Sequence, residues 1–106
     1  MKKISFIIPC YNSEKTIEIV VSEIVDVISI DMRFDYEIIL INDASLDNTL
    51  KVIRKLCDLN SKIIGLNLSK NFGQPSATLA GCDICSGDII VYSDDDGQTP
   101  INEVTK

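Results

Sequence analysis

Tyr36-Glu37-Ile38-Ile39-Leu40-Ile41-Asn42-Asp43-Ala44-Ser45 passes abruptly from an unbroken aliphatic run to a cluster of small polar groups. A run so short and so continuously apolar reads as a strand buried on both faces, the condition of a parallel sheet covered by helices. The polar cluster marks the strand's carboxyl end, and Ser45 offers an N-cap for a helix to follow. The same succession recurs along the chain. Residues 4–8, 62–68 and 88–92 read as further strands. Between them Ile17, Val20, Val21, Ile24 and Ile28 mark one face of a first helix, with Asn12 or Ser13 as its cap. Leu46, Leu50, Ile53 and Leu56 mark the face of a second. Pro75 suits the first turn of a third, and Gly87 its C-terminal stop. The order βαβαβαβ predicts an α/β fold: a parallel sheet of about four strands with right-handed crossovers and helices on both faces.

The 106 residues amount to one domain with a modest core. A net charge of −6, with no basic cluster beyond Arg54-Lys55, argues against a nucleic-acid partner. An anionic ligand would need local help from a metal or from helix N-termini. The Lys2-Lys3 start and the apolar run after it are too short, and too soon broken by Pro9, for a signal peptide. No stretch is long enough to span a bilayer. A cytoplasmic location is expected, in which Cys10, Cys57, Cys82 and Cys85 stay reduced. Cys82 and Cys85 form a C-x-x-C at the far end of the third helix, and the chain has no histidine to complete a zinc site. They read as small core residues.

Each strand's carboxyl end carries polar residues that no core explains: Pro9 to Asn12, Asn42 to Ser45, Ser69 to Gly73, and Asp94 to Gln98. In open α/β sheets ligands bind in the crevice outside those ends, so four separate segments point to one edge. Asp94-Asp95-Asp96 is the most telling of them, because adjacent carboxylates repel and are best accommodated by solvent or a cation. In an extended segment Asp94 and Asp96 face one way. Mn2+ or Mg2+ is commonly held by one or two carboxylates and completed by substrate phosphates. A solvated acidic turn is the bland alternative. Asp43 fits either a helix cap or a hydrogen bond to a ligand's base or sugar. Tyr11 fits a half-buried ring or a stacking platform, and Lys70 a surface charge or a phosphate contact.

These residues carry a resemblance. Ile7-Ile8-Pro9-Cys10-Tyr11-Asn12-Ser13-Glu14 resembles the I-P-x-Y-N-E opening of glycosyltransferase family 2, and residues 37–49 resemble its E-I-I-x-V-D-D-G-S-x-D-x-T segment. Ser69-Lys70-Asn71-Phe72-Gly73 with Leu79-Ala80-Gly81 is similar to S-R-N-F-G…L-A-G. Gly87-Asp88 through Asp94-Asp95-Asp96-Gly97-Gln98-Thr99-Pro100 is similar to G-D…D-A-D-L-Q-D-P. The N-F-G and D-x-D-x-Q pieces look most like the branch that transfers sugars to polyprenyl phosphates.

The resemblance implies a Rossmann-like GT-A half-domain and an inverting glycosyltransferase that takes a hexose from a UDP- or GDP-sugar. Its donor-binding residues would be Pro9, Tyr11, Asn12, Glu14, Asp43, Lys70, Asp94 and Asp95, with Asp94 and Asp96 holding Mn2+ or Mg2+. The acceptor would be a lipid phosphate or a saccharide, met at the cytoplasmic face of a membrane. Residues 1–106 would be a truncated nucleotide-sugar-binding domain, without the acceptor half and its general base, and inactive alone. Self-association through an exposed sheet edge is also expected. Asn42, Ala44, Lys70, Asp95 and Thr99 depart from the family pattern, which carries Asp, Gly, Arg, a small neutral residue and Asp there. Two other readings compete: a non-catalytic nucleotide-binding module, and a haloacid-dehalogenase-like phosphatase, whose D-x-D-G-T motif is broken here by Gln98.

Overall fold

The computed structural model describes residues 2–31 and 33–96. The chain runs β1 (Lys2–Cys10), α1 (Ile17–Ile30), β2 (Phe34–Asn42), α2 (Thr49–Leu59), β3 (Ile63–Asn67), α3 (Gln74–Ile84) and β4 (Ile89–Tyr92). The strands form one parallel sheet in the order β3-β2-β1-β4. From β1 the chain steps outward to β2 and β3, then returns through α3 to the opposite side of β1. That reversal leaves a crevice between the carboxyl ends of β1 and β4, where open α/β sheets bind ligands.

Alternation along β1 and β2 divides the core. Ile4, Phe6, Ile8, Ile38 and Leu40 pack with Ile17, Val20, Val21, Ile24 and Ile28 of α1 and with Ile53 and Leu56 of α2. On the other face Ile7, Ile39 and Ile41 pack with Ala77 of α3, flanked by half-buried Cys82 and Cys85. Helices therefore cover both faces, as the continuous apolar runs require. Coverage is complete over the two central strands only. At the edges Ile64 of β3 and Ile89, Ile90 and Tyr92 of β4 are exposed.

α1 and α2 begin later than the N-caps read from the sequence, Asn12 or Ser13 and Ser45, imply. Asn12 adopts a left-handed φ of 50°, and the Ser13 carbonyl accepts the Thr16 and Ile17 amides in a separate turn before α1. Asp47, rather than Ser45, accepts the Thr49 amide (2.9 Å) at the start of α2. Leu46 is consequently left in the preceding loop, 86% exposed. Gly87 is not a left-handed stop: α3 ends with Cys85 in extended conformation at φ −71°. Gly87 is small for another reason. A Cβ there would lie 2.4 Å from Ser5 Oγ and 2.7 Å from Ser5 N.

That close approach belongs to a polar knot beneath the sheet. Glu37 is 5% exposed on β2. Its Oε2 accepts Ser5 Oγ and the Ser86 amide, both at 2.6 Å, and Lys3 Nζ stands 3.5 Å from Oε1. The Gly87 amide donates to Ser5 Oγ (2.8 Å), and Asp88 exchanges hydrogen bonds with the Lys3 backbone. The knot joins the amino ends of β1, β2 and β4. Burial alone would raise the Glu37 carboxyl, but the Ser5 and Ser86 donors and the Lys3 ammonium outweigh it and hold it below the ordinary value.

A carboxyl whose folded pKa is depressed stabilises the fold above its unfolded pKa of about 4.3, and that contribution is lost as pH falls through the folded value. Glu37→Gln removes this charge at nearly constant volume. Urea unfolding followed from pH 7 down through the acid range should show a lower neutral-pH stability and a shallower acid-side decline than wild type.

Candidate functional site

The carboxyl edge of the sheet holds a cleft of about 440 Å3 lined by Pro9 and Cys10 at the end of β1, Tyr11 just after it, and Asp43 after β2. Asn71 and Gly73 line it from the loop before α3, Gln74 from the first turn of α3, and Asp94, Asp95 and Asp96 from the segment after β4. All four strand ends thus contribute through themselves or their following loops. Grooves elsewhere are larger, about 540 Å3 over β3 and α2 and about 530 Å3 beside α3. What distinguishes this cleft is its convergence of polar groups, the feature that fixes a ligand's orientation and specificity.

The parallel register fixes the levels of these residues. Cys10 is paired with Asn42, and Ile7 with Tyr92, so Tyr11, Asp43 and the residues after Tyr92 emerge along the same edge. Ser93 N still donates to Ile7 O at 3.1 Å, carrying the β1–β4 ladder one residue past β4. Beyond it the chain turns at Asp95 and Asp96. The extended geometry expected for Asp94-x-Asp96 therefore does not hold through Asp96, although all three carboxylates line the cleft. Gly97 and Gln98, the end of the motif read from the sequence, lie outside the described residues.

Asp43 is 3% exposed, and its carboxylate spans two backbone donors: Phe72 N at 2.8 Å to Oδ1 and Gly73 N at 3.0 Å to Oδ2. It therefore secures the loop that forms the opposite wall, and does not cap α2. Gly73 has φ 90°, a conformation that suits glycine, and it ends that loop at the start of α3. Tyr11 is 43% exposed beside Pro9 and presents a ring at the cleft. Cys10 is fully buried; burial first, and then the Asp95 carboxylate, push its thiol up, so it stays protonated and donates to Ile8 O at 3.3 Å. A thiol in that state is no nucleophile.

Asn12, Glu14 and Lys70 are not among the lining residues. Asn12 joins two loops, donating from its amide to Ser45 Oγ (3.0 Å) and accepting Leu46 N on Oδ1 (2.7 Å). The Glu14 amide reaches Asp47 at 3.3 Å, and its side chain faces a groove over α1. Lys70 is exposed in the loop that carries Asn71. Cys10, Asn71 and Gly73 come from strand-end segments already singled out in the sequence, and Gln74 joins the cleft beside them. Asn71 and Gly73 stand in the N-F-G segment, whereas Gln74 carries no sequence signal.

Four acidic residues line the cleft, and no lysine or arginine is among the described lining residues. Such a surface favours a cation, and carboxylate oxygens are the hard donors that Mg2+ and Mn2+ prefer. Among the described residues no group of three or more such side chains is drawn together as a complete ligand cage. The donor set fits an ion held by one or two carboxylates and completed by water or phosphate.

The family described as glycosyl transferase family 2 matches residues 5–106, and the chain belongs to that family. It is 33% identical over 107 residues to an undecaprenyl-phosphate 4-deoxy-4-formamido-L-arabinose transferase of Aeromonas hydrophila, covering 100% of this chain and 32% of the relative. The enzyme of the same name from Yersinia pestis is 35% identical, with the same coverage. An uncharacterized glycosyltransferase of Synechocystis is 37% identical over 98 residues, 92% of this chain and 30% of that protein. The chain therefore spans about a third of the length of these relatives.

Among solved structures, S. aureus TarS in complex with UDP superposes with a TM-score of 0.70 at 26% identity, over 89% of this chain and 27% of that one. The mannosyltransferase PcManGT of Pyrobaculum calidifontis, solved with GDP-Man and Mn2+, gives 0.77 at 21% identity over 98% and 30%, a likeness of fold. The expected GT-A architecture stands.

Ala44 occupies the place of the family's glycine with φ 54°, in the left-handed region. That conformation costs an L-residue about 1–2 kcal/mol, against about 0.5–1 kcal/mol of extra chain entropy lost by glycine. Ala44→Gly should accordingly raise the urea midpoint by an amount worth about 0.5–1 kcal/mol. A lower midpoint would show that the loop gains more from the Cβ than the backbone loses.

Proposed function

We propose that this chain is the nucleotide-sugar-binding part of an inverting family 2 glycosyltransferase that transfers a hexose from a UDP- or GDP-sugar to a lipid-phosphate or saccharide acceptor. The observation that carries this reading is the meeting of Asp94, Asp95 and Asp96 with Pro9, Tyr11 and Asp43 in one cleft at the switch point of the sheet. In it the Pro9 and Tyr11 wall receives the base, and Asp43 shapes the pocket by holding the Phe72–Gly73 backbone. Lys70, exposed in that loop, supplies a cation for the diphosphate. Asn12 and Glu14 serve by fastening the β1–α1 loop to the β2–α2 loop. Asp94 and Asp96 hold the divalent ion, Mn2+ or Mg2+, which when bound would offset the charge on the departing nucleoside diphosphate.

Two further facts support the donor and acceptor classes. TarS binds UDP and UDP-GlcNAc in its crystals. The Aeromonas and Yersinia relatives are named for transfer to undecaprenyl phosphate. A polyprenyl-phosphate acceptor would place the whole protein at the cytoplasmic face of a membrane. No helix among the described residues is itself long and apolar enough to cross one. None of the described residues is assigned the general base, so the isolated chain is expected to bind a donor without turning it over. Its apolar β4 edge is also the place where two copies would associate.

Calorimetric titration of UDP- and GDP-sugars with and without Mn2+ tests this reading. One nucleotide class should bind in a manganese-dependent manner, and Asp96→Ala should weaken that binding by about tenfold or more. Binding that ignores both manganese and the substitution would contradict the metal assignment.

A further inference from the structure

Asp95 is the one residue of the acidic triplet at which the family pattern carries a small neutral side chain, so a metal-binding role held in common by the family does not account for it. Its Oδ2 accepts the Tyr11 amide at 2.9 Å, and its backbone carbonyl accepts Thr16 Oγ1 at 2.7 Å. Tyr11 follows β1 directly, and Thr16 is the N-cap of α1. Both ends of the β1–α1 loop are therefore attached to this single residue. Two residues earlier Ser93 N is fastened to Ile7 O. Asp94 is thus bracketed by two attachments to β1 and its loop, and Asp96 directly follows the second.

A carboxylate receiving a backbone N–H is a charge-assisted hydrogen bond, stronger than its neutral counterpart. A small neutral side chain in the same place could not form it. Asp43 makes the matching contact across the cleft, so each wall is held by a carboxylate on backbone amides.

We propose that Asp95 is a positioning residue of the donor site: it locks the acidic turn to the Tyr11 and Thr16 ends of the β1–α1 loop, and so sets where Asp94 and Asp96 present their oxygens. This inference rests on the donor-site reading above for its consequence, but the lock itself can be read without any ligand.

The test compares wild type with Asp95→Ala, Asp95→Asn and Thr16→Val. The ligand-free measurement is the amide chemical shift and hydrogen exchange of Tyr11 by NMR, with the dispersion of the remaining spectrum reporting the fold. Asp95→Ala should release the Tyr11 amide, whereas Asp95→Asn, which keeps an acceptor oxygen, should retain its protection. The second measurement is Mn2+ affinity in the presence of UDP or GDP, by electron paramagnetic resonance. Asp95→Ala should weaken it about tenfold, Thr16→Val by a smaller factor, and Asp95→Asn should stay within about threefold of wild type. An unmoved Tyr11 amide in a folded Asp95→Ala protein would overturn the lock. Loss of manganese in Asp95→Asn with the Tyr11 amide intact would overturn the positioning role by making Asp95 a ligand. Wild-type protein that binds no manganese with either nucleotide would instead overturn the donor-site reading.

Discussion

The pairing of β1 on both sides is the constraint on which the rest of this structure depends. β2 lies along its whole length and β4 along the stretch from Ile4 to Ile7, all parallel. Parallel pairing brings every carboxyl end to the same edge, and the reversal of direction after β3 leaves the gap between β1 and β4 uncrossed by a connection. Burial of β1 on both faces makes this placement expensive to disturb: Ile4, Phe6, Ile7, Ile8 and Cys10 are each at most 2% exposed. A slip of one residue would turn Ser5 into one apolar layer and Phe6 into the other. The knot of Ser5, Glu37, Ser86 and Gly87 works against such a slip, because its hydrogen bonds exist in one register only.

The two ends of the sheet handle buried or clustered charge by the same means. At the amino end Glu37 is satisfied by hydroxyl and amide donors and by one lysine. At the carboxyl end Asp43 and Asp95 each take backbone amides from the loop after a neighbouring strand. A carboxylate used in this way rigidifies a loop without needing a large apolar contact, which suits a surface that must stay open to a polar ligand. The acidity of the cleft is therefore partly structural. Asp43 and Asp95 hold its walls, while Asp94 and Asp96 are the residues assigned to the ion.

The element order and the edge that carries the polar cleft were legible in the sequence because both follow from local pattern. Aliphatic runs such as Ile38-Ile39-Leu40-Ile41 separate cleanly from the polar clusters behind them. The helix starts were less legible. Asn12 and Ala44 bend the chain through left-handed conformations, and Leu46 fits the apolar period of α2 yet sits in the loop before it. The roles of Glu37, Asp43 and Asp95 were hidden for a different reason. Their partners lie 49, 29 and 84 residues away in the chain for Ser86, Phe72 and Tyr11 respectively. No periodicity records a hydrogen bond between such distant segments. Glu37 in particular resembles the ordinary polar start of a strand until the fold places Ser5 and Ser86 over it.

The central claim is that the β1–β4 crevice receives a divalent ion together with a nucleoside diphosphate. Paramagnetic broadening tests it most directly, since Mn2+ relaxes nuclei steeply with distance. With Mn2+ and UDP or GDP added to isotopically labelled protein, the amides of Tyr11, Gly73, Asp94, Asp95 and Asp96 should broaden first, and those of Ser5, Glu37 and Gly87 at the opposite end should stay sharp. Broadening that is uniform over the surface, or concentrated on acidic residues of the α1 outer face such as Glu18 and Glu23, would contradict it.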